Sequence, residues 1–547
     1  MKQIFYLITC VSFLIACNDK SNKIPVDLIV NNAVIYTIDS SFSIAEAMAI
    51  KDGKIIATGT AANILSHYQP KRLLDAAGKF IYPGLIDAHT HFYRYGLGLQ
   101  TANLVGTHSW EEILIKIKSF AAESKDGWLT GRGWDQNNWT VKEFPSNEEL
   151  NMLFPDRPVI LTRIDGHAAI ANQNALSLAG IKAGDKLTGG QIEVRDGELT
   201  GILIDNAVDL VRRHMPTPSI ELKKESLLDA QRNCFAVGLT TVDDCGLNVA
   251  DITFIDSMQK TGELKMRVYA MLGDSKRNYD YIFKHGKIKT PFLNVSSFKV
   301  YADGALGSRG ACLLQPYTDK PEWQGFLLSS PAHFDSVAAL LYKKGYQMCT
   351  HAIGDSGNRV ILDIYSKYLK GKNDLRWRIE HAQVINKNDI NKFGQFSIVP
   401  SVQPTHATSD MYWARDRLGS DRVNGAYAYK QLMDQNGWIP LGTDFPVEDI
   451  SPFKTFYAAV VRKDAKGWPE PGFQMENALT RENALRGMTI WAAKANFEEN
   501  EKGSLEKGKY ADFIVLDKDL MKVEGTAILS TIVFMTYING YKVFERK

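Results

Sequence analysis

Pro83-Gly84-Leu85-Ile86-Asp87-Ala88-His89-Thr90-His91 is an apolar run that ends on two histidines two positions apart. Side chains alternate along a strand, so His89 and His91 share a face and both imidazoles can reach one cation. Alone the pair is weak, since two ordinary polar histidines fit it better. The run at 81–87 is the first of eight, the others lying at 239–243, 266–272, 295–301, 346–350, 377–380, 397–402 and 438–442. Near-continuous apolar strands alternating with helix-length segments specify a parallel sheet covered on both faces, and eight of them predict a closed (β/α)8, or TIM, barrel of the α/β class.

Later strand ends add residues of ligating type. Lys299 stands in Ser297-Phe298-Lys299-Val300-Tyr301-Ala302-Asp303-Gly304, His351 in Cys349-Thr350-His351-Ala352, His381 in Ile379-Glu380-His381-Ala382 and Asp444 in Leu441-Gly442-Thr443-Asp444. A chance alignment of all six is improbable.

Around this barrel (81–499) the chain ends read as β structure. Short strands fill 26–60, with the turn Lys51-Asp52-Gly53-Lys54, and the texture returns after Glu506-Lys507-Gly508-Lys509 and around Asn539-Gly540. Each end alone would leave open sheet edges, so 25–80 and 500–547 are expected to complete one composite β-sandwich. About 147 residues separate His91 from Leu239, far beyond a βα loop. Residues 92–232 are therefore expected to form an inserted lid subdomain, with strands at 128–131 and 159–163 and a helix over 168–178 ending before Gly180.

The first residues stand apart. An apolar run at 4–16 follows Met1-Lys2, too short to span a bilayer as a mature helix. It closes on Leu14-Ile15-Ala16-Cys17, which resembles the lipobox of bacterial lipoproteins. The expectation is a signal peptide over 1–16, lipidation at Cys17 and a polar leash over 17–24, placing the protein in a bacterial cell envelope as a periplasm-facing or outer-membrane lipoprotein. A plain signal peptide with a chance Cys is the alternative. No later stretch reads as a transmembrane helix. The 547 residues carry 64 Lys plus Arg against 62 Asp plus Glu, a formal charge of +2 without a basic run, which excludes an electrostatic footprint for nucleic acid and leaves a small molecule as the expected partner. Membrane contact is expected through the anchor only, and a homodimer stays open. None of the six Cys forms a CxxC pair; Cys234 and Cys245 are either a disulfide or free core thiols.

Taken together, the 83–91 stretch, the ordered Lys, His, His and Asp strand ends and the tail Gly503-Ser504-Leu505-Glu506-Lys507-Gly508-Lys509-Tyr510-Ala511-Asp512-Phe513-Ile514-Val515-Leu516-Asp517 resemble the amidohydrolase superfamily over nearly the whole mature chain. Gly133-Trp134-Asp135-Gln136, Asp165-Gly166-His167-Ala168-Ala169 and Ala302-Asp303-Gly304-Ala305-Leu306-Gly307-Ser308-Arg309 are similar to its family 3 branch, which includes the YtcJ-like proteins and N-substituted formamide deformylase. The resemblance implies His89, His91 and Asp444 on one divalent metal, His351 and His381 on a second, and Lys299 carboxylated to a bridging carbamate. An ammonium repels a cation, whereas the carbamate is an anionic bidentate ligand. Unmodified, Lys299 would hold a salt bridge and leave a single-metal site. Two zinc ions suit the His-rich set, with manganese or iron as alternatives. Zinc lowers the pKa of water toward about 7, and Asp444 is expected to take a proton during attack on a carbonyl and deliver it to the departing amine.

The expected activity is hydrolysis of a non-peptide, amide-like C–N bond. Esters, lactones and cyclic amides would meet the same chemistry, and a non-catalytic binding or regulatory lipoprotein is the rival from another class. Among residues near the site, His167 is expected to face substrate as a hydrogen-bond donor, or else to cap its helix; Asp165 is read as a turn or cap residue. Trp134 and Trp139 wall the pocket or belong to the core, Arg309 takes a substrate carboxylate, and His406 is a substrate contact. Gly304 and Gly307 lack the ending of a P-loop, and no Gly-x-Ser-x-Gly elbow accompanies a triad.

Overall fold

The computed structural model describes residues 23–124 and 127–547. The lipobox, its Cys17 and most of the leash lie outside the described residues. No helix among those described is long and apolar enough to cross a membrane.

The central sheet holds seven parallel strands, β1 (Leu85–Thr90), β2 (Leu239–Leu247), β3 (Arg267–Gly273), β4 (Leu293–Tyr301), β5 (Gln347–Ala352), β6 (Arg378–His381) and β7 (Val399–Ser401), hydrogen-bonded in that order, and the short Ile288–Lys289, which pairs antiparallel with β4. Residues 440–444 occupy the eighth position without a continuous ladder. Val402 pairs in parallel with Leu441, Gly442 N donates to Val402 O, and on the other side Ala88 N donates to Leu441 O at 3.2 Å and Asp444 N to His89 O at 2.8 Å. The barrel is thus nearly closed. Asp87 secures the seam by accepting from Thr443 N at 2.9 Å and Thr443 Oγ1 at 2.7 Å.

The run expected as one strand over 81–87 serves two sheets. Phe80–Pro83 pairs antiparallel with Phe513–Leu516, while β1 starts after Gly84. A Cβ at Gly84 would sit 2.3 Å from Thr240 Oγ1, so only glycine lets the chain cross so close to β2. Phe80–Pro83 belongs to a six-stranded sheet that also holds Val34–Tyr36, Val533–Ile538 and Tyr541–Glu545, so both ends of the chain share it. A four-stranded sheet that includes Ile24–Asn31 and Ala47–Lys51 packs on it through Val30, Ile50, Ile81, Phe513 and Val515.

Between β1 and β2 lies a second six-stranded sheet, in the order Gly190–Arg195, Glu198–Asp205, Ala168–Ala171, Val159–Arg163, Leu129–Trp134, Ala102–Asn103. Alternation along its strands feeds two cores: Leu161 and Ile202 pack with Trp110 and Ile117, whereas Ile160 and Leu203 pack with Val208 and Val211. The helix expected over 168–178 begins only at Gln173, capped by Asn172, whose Oδ1 accepts from Ala175 N at 3.1 Å. Residues 168–171 are instead a strand with small side chains buried on both faces, which leaves no period for the sequence to display. The inserted unit is also shorter than 92–232. Helix Ile220–Ala236 buries Leu227, Ala230 and Cys234, spaced along one face, in the core of the barrel. Cys234 and Cys245 are buried free thiols, so the disulfide alternative is not formed.

Candidate metal centre

The carboxyl ends of β1, β4, β5 and β6 bring together His89, His91, Lys299, His351 and His381, and the seam after residue 442 adds Asp444. His89 is fully buried, and its Nδ1 lies 2.6 Å from Glu380 Oε2. That contact fixes the ring and leaves Nε2 facing Asp444 Oδ1 at 3.7 Å. His91 is held in the same way, with Nδ1 3.2 Å from the Cys245 carbonyl and Nε2 3.4 Å from Asp444 Oδ1. The rings of His351 and His381 lie 4.6 Å apart, and that of His381 lies 4.7 Å from His89.

The donor set fits a divalent cation. His351 Nε2, His381 Nδ1 and Asp444 Oδ1 are buried without a hydrogen-bond partner. Leaving such atoms unsatisfied costs about 1–3 kcal/mol each, more for a charge, unless a ligand takes them. His89, His91 and Asp444 place ligand atoms within 4.8 Å of one another, and so do His381, His406 and Asp444. His406, expected at substrate, therefore stands among the possible ligands, and the second grouping draws on it rather than on His351. Burial holds His91, His351 and His381 well below the ordinary imidazole range, which keeps them neutral. Against burial, chiefly the hydrogen bond from His406 holds Asp444 well below the carboxylate range.

Lys299 is 1% exposed, with Nζ 3.2 Å from His89 Nε2. No carboxylate oxygen among the described residues lies within the 4.0 Å that a salt bridge requires. The ion pair needed by the unmodified alternative is absent there.

A cavity of about 910 Å³ opens over the cluster, lined by His91, Lys299, His351, His381 and Asp444 together with His167 and His406. His406 bridges two carboxylates, with Nε2 3.2 Å from Asp444 Oδ2 and Nδ1 3.2 Å from Glu448 Oε1. His167 precedes a strand, so it caps no helix; its Nδ1 lies 2.6 Å from Asp205 Oδ1 and its ring 4.9 Å from that of His351. Asp165 accepts from His167 N at 3.0 Å and pairs with Arg163, a turn role on the cavity wall.

Two expected substrate contacts are placed elsewhere. Trp134 is fully buried in the insertion core, its Nε1 donating to Leu161 O at 2.8 Å, and Trp139 packs beside it. Arg309 lies outside the cavity wall, with Nη2 2.9 Å from Asp319 Oδ2. Glycines on either side of it make room for Asp205 instead: a Cβ at Gly304 or at Gly310 would fall 2.3 Å from Asp205 Oδ2. Gly304→Ala is expected to cost about 1–3 kcal/mol through overpacking, read as a lowered thermal midpoint; an unchanged midpoint would show that the Asp205 pocket yields freely. Glu380 and Asp205, which orient His89 and His167, were not singled out in the sequence. Adjacency to His381 was the available signal for Glu380; nothing local marks Asp205.

A nearly closed barrel of parallel strands, with histidines, a lysine and an aspartate gathered at its carboxyl ends beneath a deep cavity, defines a barrel hydrolase of the metal-dependent kind. Residues 72–544 match the model of the Amidohydrolase family, and the chain belongs to that family. It is 33% identical over 540 residues to Protein LONG AFTER FAR-RED 3 of Arabidopsis thaliana, covering 95% of this chain and 92% of the relative. Putative amidohydrolase YtcJ of Bacillus subtilis (strain 168) is 30% identical, with coverage of 94% and 98%. N-substituted formamide deformylase of Arthrobacter pascens is 26% identical, with coverage of 95% and 98%. Among solved structures, an uncharacterized metal-dependent hydrolase from Pyrococcus horikoshii OT3 superposes with a TM-score of 0.74 at 26% identity, covering 91% of this chain and 99% of that one.

Proposed function

We propose that the protein hydrolyses a non-peptide, amide-like C–N bond of a small molecule at a centre of two divalent metals. The observation that carries this reading is that His351, His381 and Asp444, each with a buried atom that has no hydrogen-bond partner, line one cavity. His89, His91 and Asp444 would hold one cation and His351 and His381 the other, with Lys299 as a carbamate between them; His406 is a further ligand candidate. Zinc there, or manganese or iron, would supply Lewis acidity and lower the pKa of water toward about 7. Asp444 accepts a proton from the attacking water and passes it to the departing amine, while His406, at its Oδ2, orients the carboxylate. His167, anchored by Asp205, presents its other ring nitrogen to the substrate. The name of the deformylase relative supports an N-acyl or N-formyl compound as the first substrate to try.

The test is plasma mass spectrometry of protein starting after Cys17 and purified without chelators, followed by a screen of N-formyl and N-acyl compounds. About two metal equivalents per chain and amine release are expected. No metal after reconstitution with zinc or manganese would overturn the proposal.

A further inference from the structure

Arg132 lines the same cavity as His91, Lys299 and Asp444. It projects from strand Leu129–Trp134, where its register partner in the adjoining parallel strand is Thr162. Such partners share a face of the sheet, and Arg212, the last residue of helix Asn206–Arg212, reaches that face with Nη2 3.5 Å from Thr162 Oγ1. Two guanidinium groups therefore stand close together on the wall supplied by the inserted sheet.

Neither is closely paired with a carboxylate among the described residues. A guanidinium carries five N–H donors, and Arg132 is seen to donate to Ile164 O at 2.8 Å. Among the described residues no carboxylate oxygen lies within 4.0 Å of it. Asp135 and Asp165, the carboxylates of the same wall, are both bound by Arg163, and Asp165 also accepts the His167 amide. Among the described residues Arg212 has only Asp209 as a carboxylate partner, at 3.8 Å and on an exposed side chain. Burial first, and then the charge of the neighbouring Arg212, push Arg132 down to about 10 against the pull of Asp444 and Asp165; burial and Arg94 do the same to Arg212. A cation that is partly desolvated beside another cation gains most from an anion that enters the cavity. The planar fork of arginine suits a carboxylate, which it binds through two parallel hydrogen bonds. Arg309, the arginine that the sequence offered for this task, is occupied by Asp319.

We propose that Arg132, supported by Arg212, forms an anion subsite of the cavity and that the substrate is an amide bearing a carboxylate. This rests on the hydrolase reading above for the amide and on the arginine wall for the carboxylate. The wild-type chain, Arg132→Gln and Arg132→Lys are compared by formate release from N-formylalanine and from its uncharged analogue N-formylalaninamide. The wild type is expected to favour the carboxylate at least ~10-fold in kcat/KM, as befits hydrogen bonds to a charged group. Arg132→Gln should bring the ratio near one, and Arg132→Lys, which keeps the charge but not the fork, should fall between. A wild type without preference, or a glutamine variant that keeps it, overturns the subsite.

If neither compound is turned over, the hydrolase reading is decided by metal content and the wider screen above, and calorimetric titration of N-formylalanine decides the subsite separately. Affinity weakened at least ~10-fold in Arg132→Gln, with Arg309→Gln unchanged, supports it. Equal affinity for the wild type and Arg132→Gln, or no binding to the wild type, overturns it.

Discussion

Asp444→Asn is expected to lower turnover at least ~100-fold while leaving the fold intact. The backbone at this position has φ 63°, a left-handed conformation that asparagine adopts more readily than most residues. The bonds that place it are also backbone bonds: Asp444 N donates to His89 O, and Val447 N to Asp444 O. Asparagine can still accept from His406 through its one oxygen, but its amide nitrogen then faces His89 and His91 and has no capacity to take a proton. Turnover, metal per chain and thermal midpoint should be read together on protein saturated with metal. A large loss of turnover at unchanged midpoint and metal content assigns the proton transfer to Asp444. Near-normal turnover would remove it from that role.

The site was legible to the extent that ligands sit at strand ends. A parallel strand covered on both faces reads as an apolar run, so residues of ligating type just past its end stand out; His89, His351, His381 and Asp444 were visible for that reason. What the sequence hides is pairing at long range. Glu380 orients His89 across 291 positions and Asp205 holds His167 across 38. Each looks locally like any other acid. Arg309 shows the converse error, since a free-looking arginine in a glycine-rich loop is spent on an aspartate ten residues away.

Fold boundaries were misread where burial carries no pattern. Residues 168–171 are alanines and an isoleucine covered on both faces, so neither a helical nor a strand period survives. Gly84 divides one apolar run between two sheets because its neighbour Thr240 leaves no room for a Cβ, a constraint set by residues far along the chain. Trp134 beside Trp139 suggested a pocket wall, but the indole N–H finds the Leu161 carbonyl inside the insertion, which is how a buried tryptophan satisfies its one donor.

Lys299→Ala is expected to reduce bound metal from about two equivalents to about one and turnover by ~100-fold or more. Lys299 sits near the carboxyl end of β4, in register with Cys349 of β5, and its Nζ approaches His89 Nε2 rather than any acid. As an ammonium there it would be a buried charge with no carboxylate oxygen within 4.0 Å among the described residues, repelling any cation held by the neighbouring histidines. Carboxylation turns the same side chain into an anion with two oxygens at that point. The two states differ in what their removal does. A structural, charged lysine held by a partner would leave its loss destabilising by about 3–5 kcal/mol with metal content unaffected. A bridging carbamate would leave the metal-free protein as stable as wild type, while the second equivalent of metal disappears and the ¹³C resonance of a carbamate made from labelled bicarbonate is lost with it. Acetate or propionate, small enough to enter the space vacated by the side chain, should then restore part of the turnover by supplying a carboxylate between the metals. Retention of two equivalents in Lys299→Ala would exclude the bridge, and a single equivalent in wild type and variant alike would establish a mononuclear site built on His89, His91 and Asp444.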